Sequence, residues 1–213
     1  MADPRVEQSP AAARLLAALP DSITAAIFLS LWIAPLWLGP DGVRNAMLVM
    51  LVEFILVHAS AFLGSAVLGA GSTARRLATL LGFTLFYGLF VAAFAFAFEA
   101  WWPFAAFAWL LVGKVTIALD RSRSAPERLR RMQSEQGLAT ITYLGGVFAT
   151  TLLPLPRLGI GAEVVPQLGL PGGGLWVDRP HTVIAFGVFY FGLLAWSKWR
   201  GWSLPAAGPP AAA

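Results

Sequence analysis

The fold is decided by residues 43–68, which read VRNAMLVMLVEFILVHASAFLGSAVL. This stretch is nearly all apolar, and it exceeds the roughly 20 residues that a helix needs to cross a bilayer core of about 30 Å. Other apolar stretches lie on both sides of it along the 213-residue chain. We therefore predict an all-α, polytopic membrane protein with a bundle of six transmembrane helices, at about 22–38, 43–68, 76–98, 102–119, 138–155 and 181–199.

The composition supports a membrane protein. Hydrophobic residues make up 58% of the chain and charged residues only 12%, against roughly 25% charged residues in an ordinary soluble domain. Lipid must therefore cover much of the surface. The prediction divides the chain into a cytoplasmic N-terminal segment (1–21), a six-helix transmembrane domain (22–199) and a disordered, Ala/Pro-rich cytoplasmic tail (200–213).

The distribution of positive charge predicts the orientation. Eleven Lys and Arg residues fall in the segments on the side of the N-terminus, and three fall on the opposite side. The first group is Arg5, Arg14, Arg75, Arg76, Arg121, Arg123, Arg128, Arg130, Arg131, Lys198 and Arg200, and the second is Arg44, Arg157 and Arg179. Positive charge is enriched in cytoplasmic loops. We therefore expect a multi-pass protein of the cell inner membrane with both termini in the cytoplasm.

Two connecting segments are longer than turns. The inner one, 120–137, contains the sequence PERLRRM at 126–132, which predicts a short basic helix lying on the lipid surface. We expect the Arg121–Arg131 region to contact anionic lipid headgroups. The outer one, 156–180, is rich in glycine and proline. It is either a lid, including a re-entrant segment, or a flexible tether, and its composition favours the tether.

Ionisable residues inside a bilayer are costly and rare, so each is a functional candidate. The spans contain three candidates for a transport or proton-relay site: Glu53, His58 and Lys114. Glu53 and Lys114 each lie about 15–16 Å from the outer ends of their helices, near the bilayer midplane. We expect them to pair, either to pin two helices together or to take part in transport; the alternative is that the Lys114 side chain extends to the inner headgroups.

His58 should be separate from the other two candidates. It follows Glu53 by five residues, so the two side chains point roughly 140° apart on a helix. His181, the chain's second histidine, opens the sixth span at the outer face, whereas His58 lies about 22 Å below that face. Two axial ligands of one haem need the same depth, so a bis-histidine haem within one chain is not expected.

The sequence predicts no cofactor, no metal site and no enzyme activity. The chain has no cysteine, which excludes thiolate nucleophiles, disulfides and iron–sulfur clusters. No nucleophile–base set, metal-ligand spacing or phosphate-binding glycine motif is visible. Nucleic acid is not expected as a partner either, because the cations other than Lys114 lie in the gaps between spans or at the ends of spans.

Two functions of different classes follow from these observations. The first is a small transporter or channel for protons, ions or a small solute, with the midplane charges in its path. Hydroxyl groups of Ser60, Thr140, Thr142 and Tyr143 would line that path, and the 156–180 segment would form its outer gate. The second is a non-catalytic membrane subunit, or an assembly or scaffold protein of a larger complex. A homo-oligomer or a partner membrane protein is compatible with both.

Overall fold

The computed structural model describes residues 11–68, 73–119 and 125–202, and these residues form helices joined by loops. The N-terminal segment 1–10 and the tail 203–213, predicted to be disordered, lie outside the described residues. The helices are α1 (Ala11–Ile33), α2 (Gly42–Leu68), α3 (Thr73–Ala97), α4 (Trp102–Leu119), α5 (Ala125–Leu152), a 3₁₀ helix η1 (Val165–Leu168), α6 (Leu175–Asp178) and α7 (Pro180–Arg200).

Four of these helices are long and apolar enough to cross a membrane. They contain the segments Arg14–Ile33, Gly42–Ser60, Ala78–Ala97 and Pro180–Arg200. Their outward surfaces carry many large apolar side chains, and soluble proteins rarely expose a continuous apolar patch of this kind to water. On α3, for example, Leu85 is 66% exposed and Leu89 is 70% exposed. The chain is thus a helical, multi-pass membrane protein.

The predicted boundaries of the first span were wrong at both ends. The helix begins at Ala11 rather than near 22, with Pro20 inside it, and it ends at Ile33 rather than near 38. Pro35 explains the early end, because a proline ring disfavours helical geometry at the preceding residue and supplies no N–H. The next residues form a tight turn in which Gly39 has a positive φ of 84°.

The predicted short basic helix at 126–132 is also corrected. It is continuous with the fifth span in a single helix, α5, which runs from Ala125 to Leu152. No proline occurs between Pro126 and Pro154, so nothing in this stretch interrupts helical hydrogen bonding. The side chains of 125–135 lie outside the described part, and the expected contact with lipid headgroups stays a prediction.

The bundle is organised around α2, which contacts α3, α4, α5 and α7. α1 packs mainly against α7 and touches α2 only slightly. At one end of the bundle the Lys198 ammonium pairs with Asp21 across α7 and α1, at 2.5 Å. At the other end the Trp32 indole N–H donates to the Pro156 carbonyl, at 3.1 Å. Asp21 of α1 meets Lys198 of α7, and Phe28, further along α1, meets Gly187, nearer the start of α7, so the two helices are antiparallel and the chain enters and leaves the bundle at the same end.

The close packing of α1 on α7 depends on a glycine. Phe28 of α1 is 2% exposed, and its ring lies against the α7 backbone at Gly187, where any Cβ would overlap the ring. The Phe28 ring also packs against Phe191, with a centroid separation of 5.7 Å. Gly187 thus allows the two helices to approach closely, as small residues do in membrane bundles.

The 156–180 segment is not the flexible tether that its composition favoured. Ile160 and Leu168 are buried in the main core cluster, so the segment folds over one end of the bundle. The Gly159 N–H donates to the carbonyl of Trp32 at 3.0 Å, which satisfies an acceptor near the end of α1. A Cβ at Gly159 would overlap the Ile33 carbonyl. Composition indicated a loop, but the contacts that fix it come from distant residues.

Candidate functional site

The candidate site is built around Glu53, one of the intramembrane residues predicted to carry function. The Tyr190 hydroxyl of α7 donates a hydrogen bond to Glu53 Oε1 at 2.6 Å. Glu53 lies eleven residues after the start of α2 at Gly42, and Tyr190 lies ten residues after the start of α7 at Pro180. The two side chains therefore meet about 15 Å along parallel helices. The predicted midplane carboxylate thus has a polar partner in α7.

A second tyrosine lies beside this pair. Tyr143 of α5 is 2% exposed, and its hydroxyl donates to the backbone carbonyl of Met50 in α2, at 2.7 Å. Its ring packs edge-on against Tyr190, with centroids 5.4 Å apart. Two helical turns after Met50 in α2, the backbone carbonyl of Val57 accepts a hydrogen bond from the Gln136 side chain of α5. These contacts hold α2, α5 and α7 together around Glu53.

Glu53 lines a groove of about 650 Å³ between α1, α2, α4 and α7. The groove exists because α1 leans on α7 and barely contacts α2. Aromatic rings of Phe28, Trp102 and Phe191 contribute to its walls, and most of the other wall residues are aliphatic. The arrangement therefore places one carboxylate within a mainly apolar, partly open space, which can hold a proton, a cation or the polar end of a solute.

The groove has two further polar wall residues, Thr24 and Asn45. The Thr24 hydroxyl donates to the carbonyl of Pro20 in its own helix, at 2.9 Å. Sequence reasoning missed both residues. Asn45, Val49 and Glu53 follow one another at a spacing of four, which places them on one helical face, and this spacing was the signal that could have indicated a shared groove.

The ion pair between Asp21 and Lys198 lies toward the end of the bundle where the chain enters and leaves. Lys198 and Asp21 are 2.5 Å apart, and both are within electrostatic range of Glu53. Asp21 is mostly shielded, with 14% of its side chain exposed, whereas the Lys198 side chain is 44% exposed. The pair closes α1 onto α7 and brings a second set of charges to the same side of the bundle as the cavity.

Lys114, the predicted partner of Glu53, lies in α4. α4 is adjacent to α2, and Lys114 lies twelve residues after the start of α4 at Trp102, against eleven for Glu53 after Gly42. The two residues therefore lie at a similar distance along their helices. The side chain of Lys114 is outside the described part, so the pairing stays a prediction.

His58, the remaining candidate, lies in a different place from Glu53. Its Nδ1 donates to the carbonyl of Phe54 in its own helix at 2.7 Å, and its ring packs on the Phe54 ring with centroids 4.1 Å apart. It lines a separate crevice of about 190 Å³ between α2 and α3, together with aromatic side chains such as Tyr87. The prediction that His58 and Glu53 do not form one site is consistent with these two locations.

Among the residues that the structure describes, no group of three His, Cys, Asp or Glu side chains is placed to hold a metal ion. His181 is buried at the start of α7, far along the bundle from the crevice of His58. His58 and His181 therefore lie in different parts of the bundle.

The predicted hydroxyl path does not follow this groove. Ser60, Thr140, Thr142 and Tyr143 are not among the residues that line it. Thr142 instead lines a second groove of about 590 Å³ between α5 and α7. The Tyr143 hydroxyl is near Glu53, but it is bound to the Met50 carbonyl. These hydroxyls therefore do not line the groove, and a polar route to Glu53 that includes them stays a prediction.

Comparison with protein-family models, with curated proteins and with solved structures found no match for this chain.

Proposed function

We propose that this protein crosses the inner membrane six times, with both termini in the cytoplasm. α4 and α5 contribute 18 and 28 residues, and 18 residues of helix extend about 27 Å, close to the thickness of a bilayer core. The excess of Lys and Arg on the side of the N-terminus sets the orientation. In this arrangement the Arg121–Arg131 segment faces the anionic headgroups of the cytoplasmic leaflet.

The proposed function is transport of protons, ions or a small solute, with Glu53 as the central residue of the path. The observation that supports it is the location of the Glu53 carboxylate: it lines a groove of about 650 Å³ and is held by Tyr190. An ionisable residue at the membrane midplane is costly, and such residues commonly mark ion or proton pathways. Because Tyr190 engages Oε1, the second carboxylate oxygen can bind a proton or a cation. The proposal involves no catalysis and no cofactor.

A second function, that of a non-catalytic subunit or assembly factor, is favoured by a specific observation. The hydrogen bonds from Tyr190 to Glu53 and from Tyr143 to Met50 connect α7 and α5 to α2. Polar contacts of this kind stabilise membrane helix bundles without any transport. A second copy of the chain or another membrane protein would then cover part of the apolar surface.

The two functions are separated by a flux assay in reconstituted vesicles. Wild-type protein should move protons or a common ion down an imposed gradient, and Glu53→Gln should abolish this flux. Glutamine keeps the volume and an acceptor for Tyr190, but it cannot titrate or carry charge. Glu163→Gln, at an exposed position of the outer segment, is the matched control and should leave the flux unchanged. Absence of flux in the wild type would favour the subunit.

A further inference from the structure

We propose that the groove beside Glu53 binds a lipophilic organic cation, with the Glu53 carboxylate as its counter-charge. This inference rests on the proposed function only in taking the bound molecule to be the one that is transported. Binding itself follows from the charge, the aromatic walls and the openness of the groove, and it can be tested separately.

The charge of the groove determines whether a bound molecule should be a cation or an anion. Within the described residues, Glu53 is the only charged side chain that lines it, and the remaining polar walls are Thr24 and Asn45. A carboxylate surrounded by apolar walls attracts a cation more strongly than it would in water, because screening is weaker there. The same carboxylate repels an anion. A molecule bound in this groove is therefore expected to carry positive charge.

The apolar walls of the groove favour a bound molecule with a large hydrophobic surface. Trp102 of α4 contributes an aromatic ring that is 38% exposed, whereas Phe28 and Phe191 also border the groove but are almost fully buried. Aromatic faces attract organic cations such as quaternary ammonium groups, and they also cover apolar surface. Most of the other walls are aliphatic, including Leu31 and Val52. A small inorganic ion would leave these walls without contacts, whereas an organic cation would use both the carboxylate and the rings.

The groove is large enough and is accessible from the side of the bundle. Its volume of about 650 Å³ lies within the roughly 300–1,000 Å³ that small-molecule sites occupy. Two of its wall residues, Ile27 and Leu38, are also exposed on the outer surface, at 40% and 49%. In a membrane protein this surface faces lipid, so an occupant that dissolves in the bilayer can reach Glu53 without a water-filled channel.

The protein contains a natural comparison for this site. The second groove, between α5 and α7, has a similar volume of about 590 Å³ and is also lined by aromatic and aliphatic side chains, among them Phe189 and Trp196. Among the side chains that the structure describes, no Asp, Glu, Lys or Arg lines it. If apolar shape alone governed binding, both grooves would bind the same molecules. If Glu53 governs binding, cations should prefer the first groove.

The test uses two ions of nearly the same shape and opposite charge, tetraphenylphosphonium and tetraphenylborate. Each is titrated calorimetrically into the full chain in detergent micelles, with empty micelles as the baseline. The wild type should bind the phosphonium more tightly than the borate. Glu53→Gln should weaken phosphonium binding by about tenfold or more, since a charge pair at partial screening is worth several times the thermal energy. It should not weaken borate binding.

Two further variants locate the site. Ala106→Trp fills the first groove from α4 and should weaken phosphonium binding, whereas Ala149→Trp fills the second groove and should not. All variants are first checked for a monodisperse, helical protein. Equal binding of both ions by the wild type, unchanged phosphonium binding in Glu53→Gln or Ala106→Trp, or an equal loss in Ala149→Trp would each overturn the proposal.

The flux assay distinguishes this inference from the function on which it builds. Charge-selective binding that depends on Glu53, without flux of protons, ions or phosphonium, would support the binding site and contradict transport. Glu53-dependent flux of protons or ions, without preference for the phosphonium, would support transport and contradict an organic cation as the ligand.

Discussion

The Tyr190 hydroxyl donates a hydrogen bond to Glu53 Oε1 at 2.6 Å, and this bond joins two helices that run in the same direction. It fixes the rotation of α2 and α7 relative to each other, because a small rotation of either helix would separate the groups. It also holds the carboxylate beside the groove that α1 and α4 complete. The bond is therefore both a packing contact and a determinant of the candidate site.

Tyr190→Phe should reduce the free energy of unfolding by about 1–2 kcal/mol, because it removes one hydrogen bond to a polar group inside the bundle. The measurement is equilibrium unfolding in mixed micelles. Tyr87→Phe is the matched control, since Tyr87 is also buried in a candidate span and its hydroxyl has no hydrogen bond among the described residues. Equal effects of the two changes would contradict a stabilising bond from Tyr190 to Glu53.

Gly187→Ala should destabilise the packing of α1 on α7 by about 1–3 kcal/mol, the usual cost of overpacking. A Cβ at this position would overlap the Phe28 ring, so one of the helices must shift. Gly192→Ala, also in α7, is the matched control, because beyond its own stretch of helix no heavy atom of the described residues lies within 4 Å of its added Cβ. Unfolding measurements that show no difference between the two variants would rule out close packing at Gly187.

Glu53 and Lys114 should be energetically coupled if they pair at one depth, and this pairing is an alternative to cation binding by Glu53, because the Lys114 ammonium would already balance the carboxylate. Leaving one charge buried without its partner costs about 3–5 kcal/mol. Glu53→Gln and Lys114→Met should therefore each destabilise the protein more than the double change does. The measurement is a double-mutant cycle of unfolding free energies, and simple additivity of the two single changes would exclude the pair.

The proposed topology is testable because the chain contains no cysteine. Single cysteines can be placed at Gly173, in the outer segment, and at Ser134, near the start of α5. In intact cells, a membrane-impermeant maleimide should label Gly173→Cys from outside, whereas Ser134→Cys should react only after the membrane is opened. Labelling of both cysteines in intact cells, or of Ser134→Cys alone, would contradict the orientation.

Hydropathy was sufficient to place α2, α3 and α7 within a few residues, because a lipid-exposed helix must be apolar over a fixed length. It also predicted a midplane depth for Glu53. Hydropathy does not give the rotation of a helix or its neighbours, since lipid and protein present similarly apolar surroundings to most side chains. The partner Tyr190 was missed for this reason, although its distance from Pro180 places it at the same depth as Glu53.

The outer segment, 156–180, is a second place where the sequence predicted the type of structure but not its contacts. Its glycines and prolines predicted an irregular chain, and it is irregular, but composition does not reveal a hydrogen bond between Gly159 and Trp32. These residues are far apart in sequence, and the contact depends on how α1 ends. The early end of α1, by contrast, follows from local chemistry at Pro35 and was predictable from the rule that a proline disfavours helix at the preceding residue.

The measurement that tests the central claim most directly is flux through vesicles that contain the wild type, Glu53→Gln, Ala106→Trp or Ala149→Trp. If Glu53 acts through its groove, flux should be lost when the carboxylate is neutralised and when the groove is filled from α4, and it should persist when the second groove is filled. Unchanged flux in a folded, monodisperse Glu53→Gln protein would contradict the claim.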